Sequence, residues 1–568
     1  MRKEIKFQYG AVVLILLLSI GLYLNSLNNS FHFDDKPNIV ENPYIQNLND
    51  IPSLLKGIMS LTGIFRALPT LSFAINYHFH KLNVFGYHLV NLILHILSGI
   101  LVYFISRNLF ALGLEKAGAV DRWGKKMDLL SLFTAAIFIA HPIQVNAVTY
   151  IVQRNEVLAS LFYLLSLFLL IKSSFKEGWK KLPSLLGSGF AFLCSVFSKE
   201  IGLTLPIVLI LFDLLFVCKT KVDIRKRLII YLPLFLCLAT YISFFLKGGI
   251  LPLLIKGAEE FLWTPWQNLL TQTHVILQYF KLLLLPLPSW LSVDHDFEVS
   301  KSLFEYPTWI SFSVIVLLFI SAMILIKKNR LISFFILFFF IVLAPSSSFI
   351  PIWDLMVEYR LYLPLFSFSF ILTMGLHYLY QLLARHYSEK LGQGVVVGIS
   401  ILILCFYSVT TIERNRIFKD GLTLWTDAVK KSPNKMRVHH NLARALYFER
   451  GRIDDAIREG EIALKLSAHI DRKQNVKYAL NLLGGAYLAK GEIDKALHML
   501  QRAIEVDPNY ATSYYNVSCI HAIKNEKNKA LENLKKAISL DEKYKRKARI
   551  DKDFDRLRGE KEFEEMIK

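Results

Sequence analysis

The chain has 568 residues, of which 54% are hydrophobic and only 20% charged, with a formal net charge of +20. An ordinary water-soluble domain is less apolar and more charged, so a wholly soluble fold is excluded. The basic excess is no nucleic-acid signature: residues 1–412 hold 33 Lys+Arg against 22 Asp+Glu and residues 413–568 hold 33 against 24, and in the first part the basic residues cluster in short loops between apolar runs, as membrane topology requires.

The chain opens with Arg2, Lys3 and Lys6 ahead of an apolar run from Ala11. No small-x-small cleavage site follows, so the run reads as an uncleaved first helix that starts in the cytosol. Spanning helices are expected at 9–27, 86–106, 128–146, 156–173, 182–198, 201–218, 227–246, 308–326, 331–350, 361–384 and 394–412, about eleven in all, each sized for a hydrocarbon core of about 30 Å. A further stretch, 265–288, carries Gln267, Asn268, Gln272, His274, Gln278 and Lys281. Such residues are costly in lipid unless they face a cavity or the interface. If this stretch lies in the interface or re-enters, Lys327, Lys328 and Arg330 share the inner side with the basic loops at 107–127, 172–181 and 219–227. That arrangement puts the C-terminal region on the outer side, after an odd number of spans. None of the five cysteines pairs into a disulfide framework or a metal-ligand spacing; they read as small buried residues.

The composition changes at Ile412/Glu413, which divides the chain into a polytopic membrane domain, 1–412, and a second domain, 413–568. In the second, Leu483-Gly484, Tyr487, Gly491, Ala496, Ala503 and Asp507-Pro508-Asn509 follow the 34-residue tetratricopeptide pattern. Ala530 and Ala537 repeat Ala496 and Ala503 at 34 residues. Tyr447, Gly451, Ala456 and Ala463 fill the same places 40 residues earlier, and the six extra residues are expected in a loop near 467–473. Trp425, Ala428 and Pro433 begin a partial unit. About three and a half repeats form a short α-solenoid, and Asp551–Lys568 reads as a polar capping helix. The fold expected is therefore all-α, a membrane helical domain followed by tetratricopeptide (TPR) repeats.

Charged groups recur where spans end on one face. Asp34 and Asp35 lie in the first outer loop, between Phe33 and Pro37. A carboxylate held partly desolvated at a membrane face can act as a general base toward a hydroxyl; the alternative is a turn or helix cap, which Asp, Asn and Pro favour. Arg66, His141, Arg154, Lys199, Glu200, Asp294, Glu358 and Arg360 fall on the same side in this topology. Loops from many spans that bring charge to one face form a candidate site; the alternative is interfacial snorkelling, or a Lys199–Glu200 pair that orients a helix. His78, His80, His88 and His95 lack a metal-site spacing, so no metal is assigned. No Walker, dinucleotide-binding or Ser-His-Asp pattern stands out, which leaves no cofactor assigned and points to an activated, membrane-soluble donor.

Several motifs in order resemble the TPR-containing branch of the GT-C membrane glycosyltransferases, with the transmembrane-and-TPR protein O-mannosyltransferases and their bacterial counterparts as named relatives. The residues are Phe33-Asp34-Asp35 with Asn42-Pro43, Arg66 to Ser72, Phe85 to Asn91 with His95, His141-Pro142 through Arg154, Lys199-Glu200, and Glu358 to Pro364. Ala67 departs from the Arg-Pro typical of a relative. The resemblance implies transfer of a sugar, with inversion, from a dolichyl- or undecaprenyl-phosphate donor to a hydroxyl on the outer face. The acceptor it implies is Ser or Thr of an exported protein. Asp34 would be the catalytic carboxylate and Asp35 its neighbour, and Arg154 and Arg360 would neutralise the departing lipid phosphate. It also implies a bacterial inner membrane with a periplasmic TPR domain, or in a eukaryote an endoplasmic-reticulum membrane with a lumenal one. The TPR domain would meet an acceptor or partner protein. Rival readings are a catalytically inactive scaffold for envelope assembly and a ligase or polymerase acting on lipid-linked oligosaccharide. A transporter would need an internal repeat in the membrane half, and none is seen.

Overall fold

A computed structural model describes residues 2–57, 66–115, 120–218, 263–470 and 473–568, with positions 239 and 243. The chain divides into two compact units, Met1–Val293 with Phe297–Lys419, and Asp294–Asp296 with Asp420–Lys568. The composition step at 412/413 falls inside helix Glu389–Ile417, which runs on because Thr410, Thr411, Arg414 and Asn415 are buried.

Among the described residues of the first unit, seven helices are long and apolar enough to cross a membrane, or eight if the pair Lys126–Ala140 and Pro142–Val148, bent by 48°, is one span. The bend sits at Pro142, where the ring removes a backbone donor. The described residues thus do not show the expected count of eleven. Leu182–Val196 and Arg330–Leu343 have 15 and 14 residues, about 22 and 21 Å at 1.5 Å per residue, too short alone for a core of about 30 Å. The expected span 227–246 lies outside the described residues apart from positions 239 and 243. Helices Thr308–Lys328 and Glu389–Ile417 bury only 11% and 17% of their apolar windows, and Leu317, Ile320 and Ile324 lie bare. Such surface is stable in lipid and not in water. Where helices do meet, small polar residues mark the seams: Ser166 Oγ lies 2.9 Å from Ser188 Oγ, and Thr134 Oγ1 donates to Thr373 Oγ1 at 3.0 Å.

The polar residues of the 265–288 stretch have a structural reason. In helix Pro265–Leu284, Asn268 Nδ2 donates to the carbonyls of Ser348 and Ile350 at 2.7 and 2.9 Å, and Gln272 Nε2 to that of Leu355 at 3.1 Å. Tyr279 Oη donates to the carbonyl of Val357 at 2.9 Å. The segment after Leu343 has no helix or strand of its own until Glu358, so its carbonyls need side-chain donors.

The second unit is a row of helix pairs from Gly421–Lys431 to Lys527–Leu540. Ala456, Ala463, Ala496, Ala503, Ala530 and Ala537 are buried where the helices approach. The turn inside each pair takes positive φ at Gly451, Gly491 and Asn525 (64°, 85° and 61°); Gly adopts this freely and Asn tolerates it. The extra residues of the first full pair lengthen helix Ile453–Ile470 to 18 residues, against 14 in Ile493–Val506 and Lys527–Leu540, rather than only the loop. The expected capping helix is split at Gly559 (φ 88°) into a 3-10 turn, Lys552–Leu557, and helix Lys561–Ile567, which still bury Phe554, Leu557 and Phe563.

Candidate functional site

The loop after the first span is held by its two aspartates in different ways. Phe33 takes φ +33°, a conformation a bulky residue adopts only under constraint. The constraint is Asp35: its Oδ2 accepts from the His32 amide at 2.9 Å and its Oδ1 from the Val152 amide at 2.7 Å. Asp35 is fully buried, so it ties the loop to the start of the 151–174 span. Burial pushes its carboxyl up to about 8, against the two backbone donors. Asp34 is half-buried. Its amide donates to Tyr150 Oη at 3.0 Å, and its carbonyl accepts from Asn38 Nδ2 at 2.8 Å. The backbone is thus spent on positioning, which fixes where the carboxylate begins.

A second set of charges comes from four other segments. Lys199 Nζ lies 2.7 Å from Glu156 Oε2 and 4.7 Å from the centre of the Tyr359 ring. Glu200 is within electrostatic reach of Lys199, Arg66 and Arg360. The Leu68 amide donates to the Phe197 carbonyl at 3.1 Å, which seats the Arg66 segment beside Lys199. Tyr150 interacts electrostatically with Asp34, Asp35 and Tyr359, and Tyr359 with Lys199, Arg360 and Asp354. The first unit therefore brings Asp34, Arg66, Lys199, Glu200 and Arg360 to one end, as separate loops supplying one charged constellation.

Four of the expected site residues stand elsewhere. Arg154 has no exposed surface. It donates to Asn91 Oδ1 at 2.6 Å, Ser72 Oγ at 3.2 Å and the Tyr87 carbonyl at 3.0 Å, over the Phe73 ring at 4.5 Å. A guanidinium so enclosed braces three helices, and its nitrogens are not turned to solvent. His141 is a buried helix cap: its Nδ1 accepts from the Ile143 amide at 3.2 Å and its Nε2 faces the Leu283 carbonyl at 3.0 Å. Glu358 is buried against Arg414 at 2.5 Å and accepts from the Ser292 amide at 2.7 Å. Asp294 belongs to the second unit, where Arg437 and Lys435 both reach it at 2.5 Å. Burial would raise its carboxyl, but Arg437 and then Lys435 hold it well below the usual range.

Sequence reading did not place Tyr150 in the site, nor did it pair Lys199 with Glu156. Its alternative to a site, a Lys199–Glu200 pair, is electrostatic, while the hydrogen bond of Lys199 goes to Glu156. The second unit holds a groove of about 490 Å³ lined in part by Arg444, Tyr447, Tyr478, Asn481 and Lys547. Cys519, Asp551 and Asp553 converge within 4.8 Å there, but Tyr515 Oη donates to Asp551 at 2.6 Å and Cys519 bonds Asp553.

Residues 434–509 and 511–544 match tetratricopeptide repeat models. Over 481 residues the chain is 25% identical to Protein O-mannosyl-transferase F38B6.6 of Caenorhabditis elegans, covering 80% of this chain and 62% of the relative. It is 25% identical to Protein O-mannosyl-transferase TMTC4 of Mus musculus over 77% of this chain and 64% of the relative. A 216-residue part is 34% identical to Protein O-mannosyl-transferase TMTC2 of Homo sapiens, covering 36% and 24%. The chain is a distant homologue of these proteins. It spans less than two thirds of the length of each. Among solved structures, the crystal structure of the APC/C hetero-tetramer Cut9-Hcn1 aligns over 87% of this chain and 86% of that one. At 12% identity and a TM-score of 0.23, that likeness carries no argument.

Proposed function

We propose that the protein is a membrane glycosyltransferase that moves a sugar from a polyprenyl-phosphate donor to a hydroxyl acceptor on the face where Asp34 lies. The observation that carries this reading is one half-buried carboxylate, Asp34, at the same end of the first unit as three cationic side chains, Arg66, Lys199 and Arg360, in a homologue of protein O-mannosyl-transferases. The chemistry fits. A serine or threonine hydroxyl needs a base to attack the anomeric carbon, and the leaving phosphate needs positive charge as its oxygen gains it. Asp34 serves as the base, and Lys199, Arg66 and Arg360 receive the phosphate. Asp35 and Arg154 hold the loop and helices that aim these groups. The names of the relatives favour mannose as the sugar and a protein as the acceptor, which the TPR groove would help to recruit. The test is to incubate the purified protein, reconstituted in lipid, with radiolabelled polyprenyl-phosphate mannose or glucose and with serine- and threonine-containing polypeptides. Transfer that depends on Asp34 supports the reading; no transfer from any such donor removes it.

A further inference from the structure

Among the described residues, Glu156 uses only half of its carboxylate. Oε2 holds Lys199 at 2.7 Å. Oε1 is buried and has no hydrogen-bond partner among the described residues, in a side chain 2% exposed. A buried acceptor left without a donor is costly, more so when it carries charge. The neighbours make the unused lone pairs informative. Lys199 and Arg360 act on Glu156 electrostatically, and the Tyr359 ring covers the Lys199 ammonium at 4.7 Å. Glu156 therefore stands behind the cations read above as the phosphate site. A donor meeting that demand must carry O–H or N–H groups close to a phosphate, as a sugar phosphate does and a bare lipid phosphate does not.

We infer that Glu156 is a specificity-determining residue, its Oε1 accepting a hydrogen bond from a hydroxyl of the sugar whose phosphate Lys199 receives. The inference rests on the glycosyltransferase reading. One oxygen sets the position of the phosphate-binding ammonium and the other reads the sugar attached to it, so charge and sugar are recognised by one carboxylate. A sugar hydroxyl is neutral, and its bond to a carboxylate is charge-assisted, which corresponds to about tenfold to a hundredfold in affinity.

The experiment compares binding of polyprenyl phosphate and polyprenyl-phosphate mannose to the full-length protein in nanodiscs by calorimetry, with a series of donors each lacking one hydroxyl. The parental protein should bind the sugar-bearing lipid at least tenfold more tightly than the bare lipid, and removal of a single hydroxyl should abolish that margin. In E156Q, which keeps an oxygen for Lys199 but no charge, the margin of the sugar-bearing lipid over the bare lipid should shrink, whatever change in affinity the two lipids share. The deoxy-donor comparison on the parental protein needs no variant, so poor folding of E156Q does not spoil the test. If both lipids bind the parental protein equally, sugar recognition by Glu156 is wrong and the phosphate site stands. Sugar recognition is equally wrong if E156Q lowers affinity for every lipid by one factor, because Glu156 then only positions Lys199. If neither lipid binds, the glycosyltransferase reading fails and takes this inference with it.

Discussion

At the scale of single residues, adjacent aspartates do different things because one is spent on the backbone and the other is not. Asp34→Asn keeps the size of the side chain and removes its basicity. Transfer should fall by about 10²–10⁴-fold, read as sugar incorporation by the reconstituted protein, with the Tyr150 and Asn38 bonds of the Asp34 backbone kept. Asp35→Asn should instead cost stability. An amide offers one oxygen where two amide donors, of His32 and Val152, require acceptors, so about 1–3 kcal/mol of stability is lost. The pH dependence of melting separates the two units. The Asp35 carboxyl is raised from 3.8 to about 8, so its contribution is full below about pH 4 and disappears as pH rises through about 8. The Asp294 carboxyl is lowered, so its contribution is present above the ordinary carboxylate range and disappears as pH falls below it. Asp35→Asn should flatten the alkaline limb only and Asp294→Asn the acid limb only; each limb followed by differential scanning calorimetry would show it, and a variant that flattens the other limb would refute its assignment. Arg154→Lys should cost stability, because one ammonium cannot reach Asn91, Ser72 and Tyr87 together.

At the scale of elements, the repeats were legible because small residues recur in register, and their burial is a direct consequence of helix pairs packing closely. Gly484 is the test case: a Cβ there would meet Leu500 Cγ and the Ala496 carbonyl. Gly484→Val should therefore lower the melting temperature of the second unit through overpacking, at about 1–3 kcal/mol, and circular dichroism of the variant would read it. An unchanged melt would mean that helix Ile493–Val506 shifts freely. What the sequence hid was tertiary. Apolar runs reveal where helices form, but 182–198 and 331–350 read as spans although their helices stop at 15 and 14 residues. The polar side chains of 265–288 looked like a cost until the carbonyls they satisfy came from a segment some 80 residues away. For the same reason Lys199 could be seen but not its partner Glu156, and charged residues such as Glu358 and Asp294 were visible as charges while their neutralising arginines, Arg414 and Arg437, lay far along the chain. Periodicity is local information; who satisfies a buried charge is not.

At the scale of the whole first unit, its two ends carry different charge. Asn29 donates to the Asn415 carbonyl and His32 faces that of Phe418, so the first span ends where the last one ends, at the Asp34 end. The opposite end holds Arg107 paired with Asp128, Lys126 over the Tyr380 ring, Lys176 bonded to Ser184, and Arg330 on the Leu215 carbonyl. Lys327 and Lys328 close helix Thr308–Lys328 one residue before Arg330–Leu343 begins. Short loops rich in Lys and Arg stay on the cytosolic side of a membrane. At the Asp34 end Lys199 is tied to Glu156 and Arg414 to Glu358. The N-terminus should thus be cytosolic and the Asp34 end outside. Because the Ser30 amide donates to the Lys419 carbonyl at 3.0 Å, the chain leaves the first unit at that outer end. A reporter active only in the cytosol should work when fused at Met1 and fail when fused at Lys568, and one active only outside should do the reverse. Both termini reporting from one side would overturn this orientation. It would also separate the TPR region from the Asp34 face, so the TPR groove could no longer present a polypeptide acceptor to Asp34 from its own side of the membrane, and that part of the functional proposal would fall with the topology.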